Sequence, residues 1–140
     1  MSDNVKTIQR LETAWASDDF DTVREIVAPD FKNGGPGAET NDPPNLEGVI
    51  KSAQAAGQAF SDRNQELVNI LGEGDKVVAH VRFTGKNTGG LPWFGIPANG
   101  NPVDVEWMTI YRLDGGKVVR TWGQMEVAKL MQQLGAGGGA

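Results

Sequence analysis

Apolar positions in the first sixteen residues recur at Val5, Ile8, Leu11 and Trp15, the spacing of one helix face. Ser2 or Asp3 can cap the start of that helix. A second helix fits 19–27, with Phe20, Val23, Ile26 and Val27 on its apolar side and Pro29 stopping it. Together they predict a helical hairpin. Residues 32–45 (KNGGPGAETNDPPN) are rich in Gly, Pro and polar side chains and read as a long surface loop. Asn45 then caps a third helix over about 46–60, with Leu46, Val49, Ile50, Ala53 and Phe60 on one side.

After residue 62 the period shortens from helix to strand. Residues 65–71 are one candidate strand and 76–84 a second, in which Val77, Ala79, Val81 and Phe83 alternate with Val78, His80, Arg82 and Thr84. A Gly/Pro-rich stretch, 85–102, separates them from strands at 103–113 and 117–125, which are joined by an Asp114-Gly115-Gly116 turn. Val127, Leu130, Met131 and Leu134 mark a short last helix with Gly135 as its C-cap. The tail 136–140 carries no side chains able to pack and is expected to be disordered. This order predicts an α+β fold: N-terminal helices packed in the hollow of a strongly curved antiparallel sheet, and a short C-terminal helix. Such a cone has a pocket at its open end.

Composition narrows the function more than the fold. With 140 residues, 39% hydrophobic and 22% charged, the chain is one globular domain, expected over 1–135. Thirteen Lys and Arg against eighteen Asp and Glu give a net charge of −5, which argues against nucleic acid and against an anionic membrane surface as partners. The absence of Cys removes thiol nucleophiles and thiolate metal sites, and a single His removes any multi-His metal site. His80 could hold a metal only with carboxylates, and none is spaced for it, so no metal is expected. No apolar run approaches the ~20 residues of a membrane span, and the start MSDNVKTIQR has no apolar signal core. A cytoplasmic protein is the expectation.

Glu126 is the most suggestive carboxylate. It ends the last strand, and strand parity puts it on one face with Trp122 and Gln124. An acid beside an indole can be desolvated and its pKa raised towards neutrality; alternatively, Glu126 only favours a helix N-terminus. Trp15, Trp107 and Trp122 are candidate pocket walls for a flat guest, or simply core. His80 and Arg82 share a strand face that is either solvated or turned into a polar cavity. Trp93 and Phe94 lie in a long loop where they could cover a pocket mouth or a subunit contact. No nucleophile elbow, zinc-binding helix, phosphate loop or dinucleotide fingerprint is present.

Three stretches resemble the SnoaL-like polyketide (ester) cyclases of the NTF2-like superfamily. They are Arg82-Phe83-Thr84-Gly85-Lys86-Asn87-Thr88-Gly89, Gly95-Ile96-Pro97-Ala98-Asn99-Gly100, and the run from Ile110-Tyr111-Arg112 through Trp122-Gly123-Gln124-Met125-Glu126 to Leu130-Met131-Gln132-Gln133-Leu134-Gly135. Ala14-Trp15 and Ala28-Pro29-Asp30-Phe31 match more loosely. The resemblance implies the NTF2-like cone, a homodimer or higher oligomer, and cofactor-independent acid–base chemistry that closes a ring by aldol condensation. It places a general acid/base on Glu126, where the family pattern has Asp, and an oxyanion-holding role on Asn87, where the pattern has His. Arg82 could share that second role. Gly34 stands near a place where the family often has His. Val81 and Phe83 occupy the places of the Arg and Asp of limonene-type epoxide hydrolysis, which argues against that reaction.

Three functions remain open from sequence. The first is an enzyme acting next to a carbonyl of an aromatic or polycyclic molecule. The others are a non-catalytic small-molecule-binding protein on the same scaffold and an interaction domain that uses its sheet face.

Overall fold

The computed structural model describes residues 2–34 and 45–135. The tail 136–140 and most of the 32–45 segment, both expected to be irregular, lie outside the described residues. The elements are α1 (Asp3–Ala16), α2 (Phe20–Ile26), β1 (Val27–Gly34), α3 (Leu46–Ala59), β2 (Phe60–Glu73), β3 (Lys76–Asn87), a 3-10 turn at Pro92–Phe94, β4 (Pro102–Asp114), β5 (Lys117–Met125) and α4 (Val127–Gln133).

Caps set the helix starts. Ser2 Oγ accepts from Val5 N, Asp19 from Thr22 N and Asn45 from Gly48 N, each satisfying an amide that the first turn leaves without a partner. The strands form one curved sheet in the order β1-β5-β4-β3-β2. β2, β3, β4 and β5 pair antiparallel in sequence order. The sheet is not wholly antiparallel, however, because β1 adds to its edge parallel to β5. Pro29 does stop α2, but the chain then runs extended. A proline is tolerated there because β1 is an edge strand whose register shifts between Val27 and Lys32. A parallel edge strand has no hairpin turn to announce it in sequence.

Two buried clusters pack the helices and loops against the sheet. In one, Val5, Ile8 and Leu11 of α1, Val23 and Ile26 of α2, and Leu46 and Ile50 of α3 pack on Val77, Ala79, Tyr111, Leu113 and Val118 of the sheet. In the other, Leu130 and Leu134 of the C-terminal segment pack with Ala59, Leu91, Ile96, Val103 and Val105. At about 25 cal/mol per Å2 of apolar surface, this burial is the main stabilising term. No helix among the described residues is long and apolar enough to cross a membrane.

Candidate active site

A cavity of about 500 Å3 lies on the concave side of the sheet, lined by members of both clusters. The inward positions of β4 are the odd ones: Val105, Trp107, Thr109 and Tyr111 all face it. Phe83 of β3 stacks on Trp107 at 6.0 Å and meets Phe60 edge-on at 5.4 Å. Trp15 of α1 closes another wall and meets Phe20 edge-on at 6.2 Å. Two of the three candidate indoles, Trp15 and Trp107, therefore line one apolar space.

The polar groups of this space were not anticipated. Glu12, only 6% exposed, lines the cavity, and Tyr111 Oη donates to its Oε1 at 2.5 Å. Burial raises the Glu12 pKa above the ordinary carboxylate range, and the phenol's hydrogen bond offsets only part of that. The Tyr111 phenol is pushed well above its usual range by its own burial and by the neighbouring carboxylate, while a hydrogen bond with Thr109 acts the other way. Across the sheet, Thr121 Oγ1 donates to Asn33 Oδ1 at 2.8 Å, and both residues line the same cavity. A signal for Glu12 does exist in the sequence. It lies four residues after Ile8 and three before Trp15, so a carboxylate interrupts the apolar face of α1.

The other candidates lie elsewhere. Glu126, Gln124 and Trp122 do share a face, but it is the outer one. A register shift in β5 opposite Arg112 and Leu113 makes Thr121 and Met125 the inward residues. Glu126, whose side chain is 43% exposed, accepts from Glu106 N at 2.8 Å and lies 3.7 Å from Lys129 Nζ. Trp122 is half-exposed beneath the Arg120 guanidinium, 4.8 Å from ring centroid to carbon. His80 and Arg82 also point outward. His80 lies between Asn69 Nδ2, 3.0 Å from Nδ1, and Glu106 Oε1, 2.5 Å from Nε2. Arg82 makes a two-pronged pair with Asp104 at 2.9 and 2.6 Å.

Asn87 is completely buried, but in a loop clasp rather than at the cavity. Its Nδ2 donates to Pro97 O and Asn99 Oδ1, and its Oδ1 accepts from Gly90 N. Strand parity showed which residues share a face, but only the register shift and the packing of the helices decide which face turns inward. No group of three or more His, Cys, Asp or Glu side chains able to hold a metal ion forms among the described residues.

This geometry gives the chain an apolar, aromatic-walled hollow with a buried acid. The family model for SnoaL-like polyketide cyclases matches residues 5–134. The chain belongs to the SnoaL-like polyketide cyclase family. A candidate SnoaL-like cyclase from Jannaschia sp. CCS1 superposes with a TM-score of 0.82 at 28% identity, over 95% of this chain and 92% of that one. IdmH of Streptomyces antibioticus, a candidate polyketide cyclase, gives 0.80 at 26% identity over 96% and 100%. AclR of Streptomyces galilaeus, described as a candidate hydroxylase, gives 0.82 at 23% identity over 96% and 82%, and at that identity the likeness concerns the fold alone. No curated protein matches the chain. The architecture is thus the NTF2-like cone of this SnoaL-like family.

Proposed function

We propose that this SnoaL-like chain is an enzyme that moves a proton next to a carbonyl of an aromatic or polycyclic molecule, with Glu12 as the acid–base group. The observation that carries this reading is the buried Glu12–Tyr111 pair inside an indole-walled cavity. In the ionised state Glu12 takes a proton from the carbon beside the carbonyl, and the negative charge passes to the carbonyl oxygen as an enolate. Once protonated, Glu12 becomes the donor of the pair, and the Tyr111 hydrogen is free to turn towards that oxygen. Attack of the enolate carbon on a second carbonyl of the same molecule would close a ring, and the proton on Glu12 would neutralise the new alkoxide. Atoms and charge balance without an electron acceptor, in keeping with cofactor-independent chemistry. Trp15, Trp107 and Phe83 would hold the flat substrate by area and stacking.

The test is conversion of a panel of aromatic ketones and esters, followed by mass spectrometry. Glu12→Gln should lower turnover by roughly 10²–10⁴-fold, the usual worth of a positioned acid–base group, while ligand still quenches tryptophan fluorescence. Glu126→Gln should leave turnover within about twofold. Loss of turnover in the Glu126 variant alone would return the role to that residue. Tight binding with no conversion of any panel member would favour a non-catalytic carrier.

We also propose that a second copy of the chain covers the outer sheet face. In-register rows across the strands support this. Lys32, Arg120, Arg112 and Lys76 form a basic row at one end. Leu71, Val78, Ile110 and Trp122 form an apolar row beside it. Glu66, Asp104, Glu106 and Glu126 gather around Arg82 towards the other end and outnumber it. A two-fold axis through the apolar middle would set the basic end of one copy against the acidic end of the other.

A further inference from the structure

Arg63 is the only cationic side chain among the described residues lining the cavity. It stands near the start of β2 with Asp18, from the α1–α2 corner, as its partner; Arg63 Nη2 is 2.7 Å from Asp18 Oδ2. The two side chains are 34% and 42% exposed, so they form part of the cavity's wet rim, whereas Glu12 is in its buried part. A pair this exposed contributes little to stability and exchanges partners easily.

The surrounding backbone fixes where this guanidinium stands. Asp18 and Asp62, the residue before Arg63, both adopt left-handed conformations, with φ of 57° and 51°. Gly57, inside α3 where glycine is unfavourable, leaves room for the same group: a Cβ there would sit 3.2 Å from Arg63 Nη1. Asp18 closes the end of α1, with Asp19 N bonded to Ala14 O, and Asp62 lies in the register irregularity of β2 between Ser61 and Asn64, so the two turns set the pair at the rim of a mainly apolar cavity, and the helix glycine leaves room for its guanidinium.

We propose that Arg63 is a specificity-determining anchor for an anionic oxygen, a carboxylate or phenolate, carried on the end of the substrate remote from Glu12. Asp18 holds the guanidinium in place until the ligand takes it over. This rests on the cavity being the substrate site, as in the function proposed above, and it names the class: flat apolar molecules with one acidic group at the rim end. The planar fork of arginine suits two oxygens of such a group, and the buried carboxylate of Glu12 disfavours the reverse orientation of an anion.

The test uses two probes of similar shape, 2-naphthoate and the neutral 2-acetylnaphthalene, with binding read by tryptophan quenching. Asp18→Asn removes the charge that competes for Arg63, and Asn tolerates the left-handed backbone. It should tighten 2-naphthoate several-fold and leave the neutral probe within about twofold. Arg63→Met should weaken 2-naphthoate about tenfold and again spare the neutral probe. Because one variant predicts a gain, misfolding cannot imitate the pair of results. If the neutral probe binds but neither variant changes the preference for 2-naphthoate, Arg63 is not an anchor, while the cavity and the role of Glu12 still stand. If neither probe binds the wild-type protein, the cavity is not a site for such molecules and the anchor falls with it.

Discussion

At the scale of single residues, the role proposed for Glu12 comes with a stability cost. Its folded pKa is raised by burial, so the folded state holds a proton that the unfolded chain has already released. The contribution of Glu12 to stability is therefore greatest below the unfolded carboxylate value of 4.5 and declines as pH rises through the raised folded value. Glu12→Gln removes the charge and keeps an oxygen for Tyr111. It should raise neutral-pH stability, on the order of 1 kcal/mol, and flatten that decline, as read by urea unfolding at several pH values. Activity has the opposite sign. If the ionised form is the base, turnover should rise with pH through the raised value, and Glu12→Gln should have no such limb. Tyr111→Phe removes the donor that holds the pKa down, so its acid limb should move to higher pH; an unmoved limb would uncouple Tyr111 from the titration.

At the scale of elements, the helices, the antiparallel order of β2 to β5 and the hairpin turns were legible because each carries a local pattern. Ser2 and Asn45 cap as their chemistry requires, and the alternation in β3 gives its inward row. β1 was not legible, since an edge strand containing a proline and paired in parallel leaves no local signature. The inward face of β5 was hidden for a related reason: one register shift reverses which residues look inside. That shift separates Trp122 and Glu126 from the cavity. Two residues of the aromatic wall, Trp15 and Trp107, were readable as candidates, whereas Glu12 sat in plain view on an apolar helix face. Asn87 belongs to this scale too. It fastens the 88–101 loop, whose Gly89 amide bonds to Ala59 O and admits no Cβ, as one would lie 2.0 Å from Gln58 O. Asn87→Ala should cost about 1–3 kcal/mol in denaturant unfolding, the price of orphaned buried partners. A loss of turnover without that destabilisation would point to a chemical role instead.

At the scale of the whole molecule, the curved sheet has two faces of different character. The concave face carries the cavity, and the convex face carries in-register basic and apolar rows with acidic residues gathered around Arg82 beyond them. Like charges directly opposite one another in Lys32, Arg120 and Arg112 are unfavourable in an isolated sheet and become favourable against an acidic partner surface. Light scattering should report a dimer that weakens at about 1 M salt, where screening shortens to a few ångströms. Ile110→Glu should shift it to monomer while leaving the cavity's ligand binding intact. A wild-type chain that stays monomeric at every accessible concentration would contradict the two-fold arrangement.

The claim on which the rest depends is that the Glu12 carboxyl is desolvated in an intact cavity. Its titration can be followed directly, without knowing the substrate, by carbon NMR of the side-chain carboxyl, with Glu12→Gln assigning the signal. The account predicts an apparent pKa above the ordinary value of 4.5 and a further upward shift in Tyr111→Phe. A Glu12 carboxyl that titrates at or below the ordinary value, unaffected by Tyr111, would contradict it.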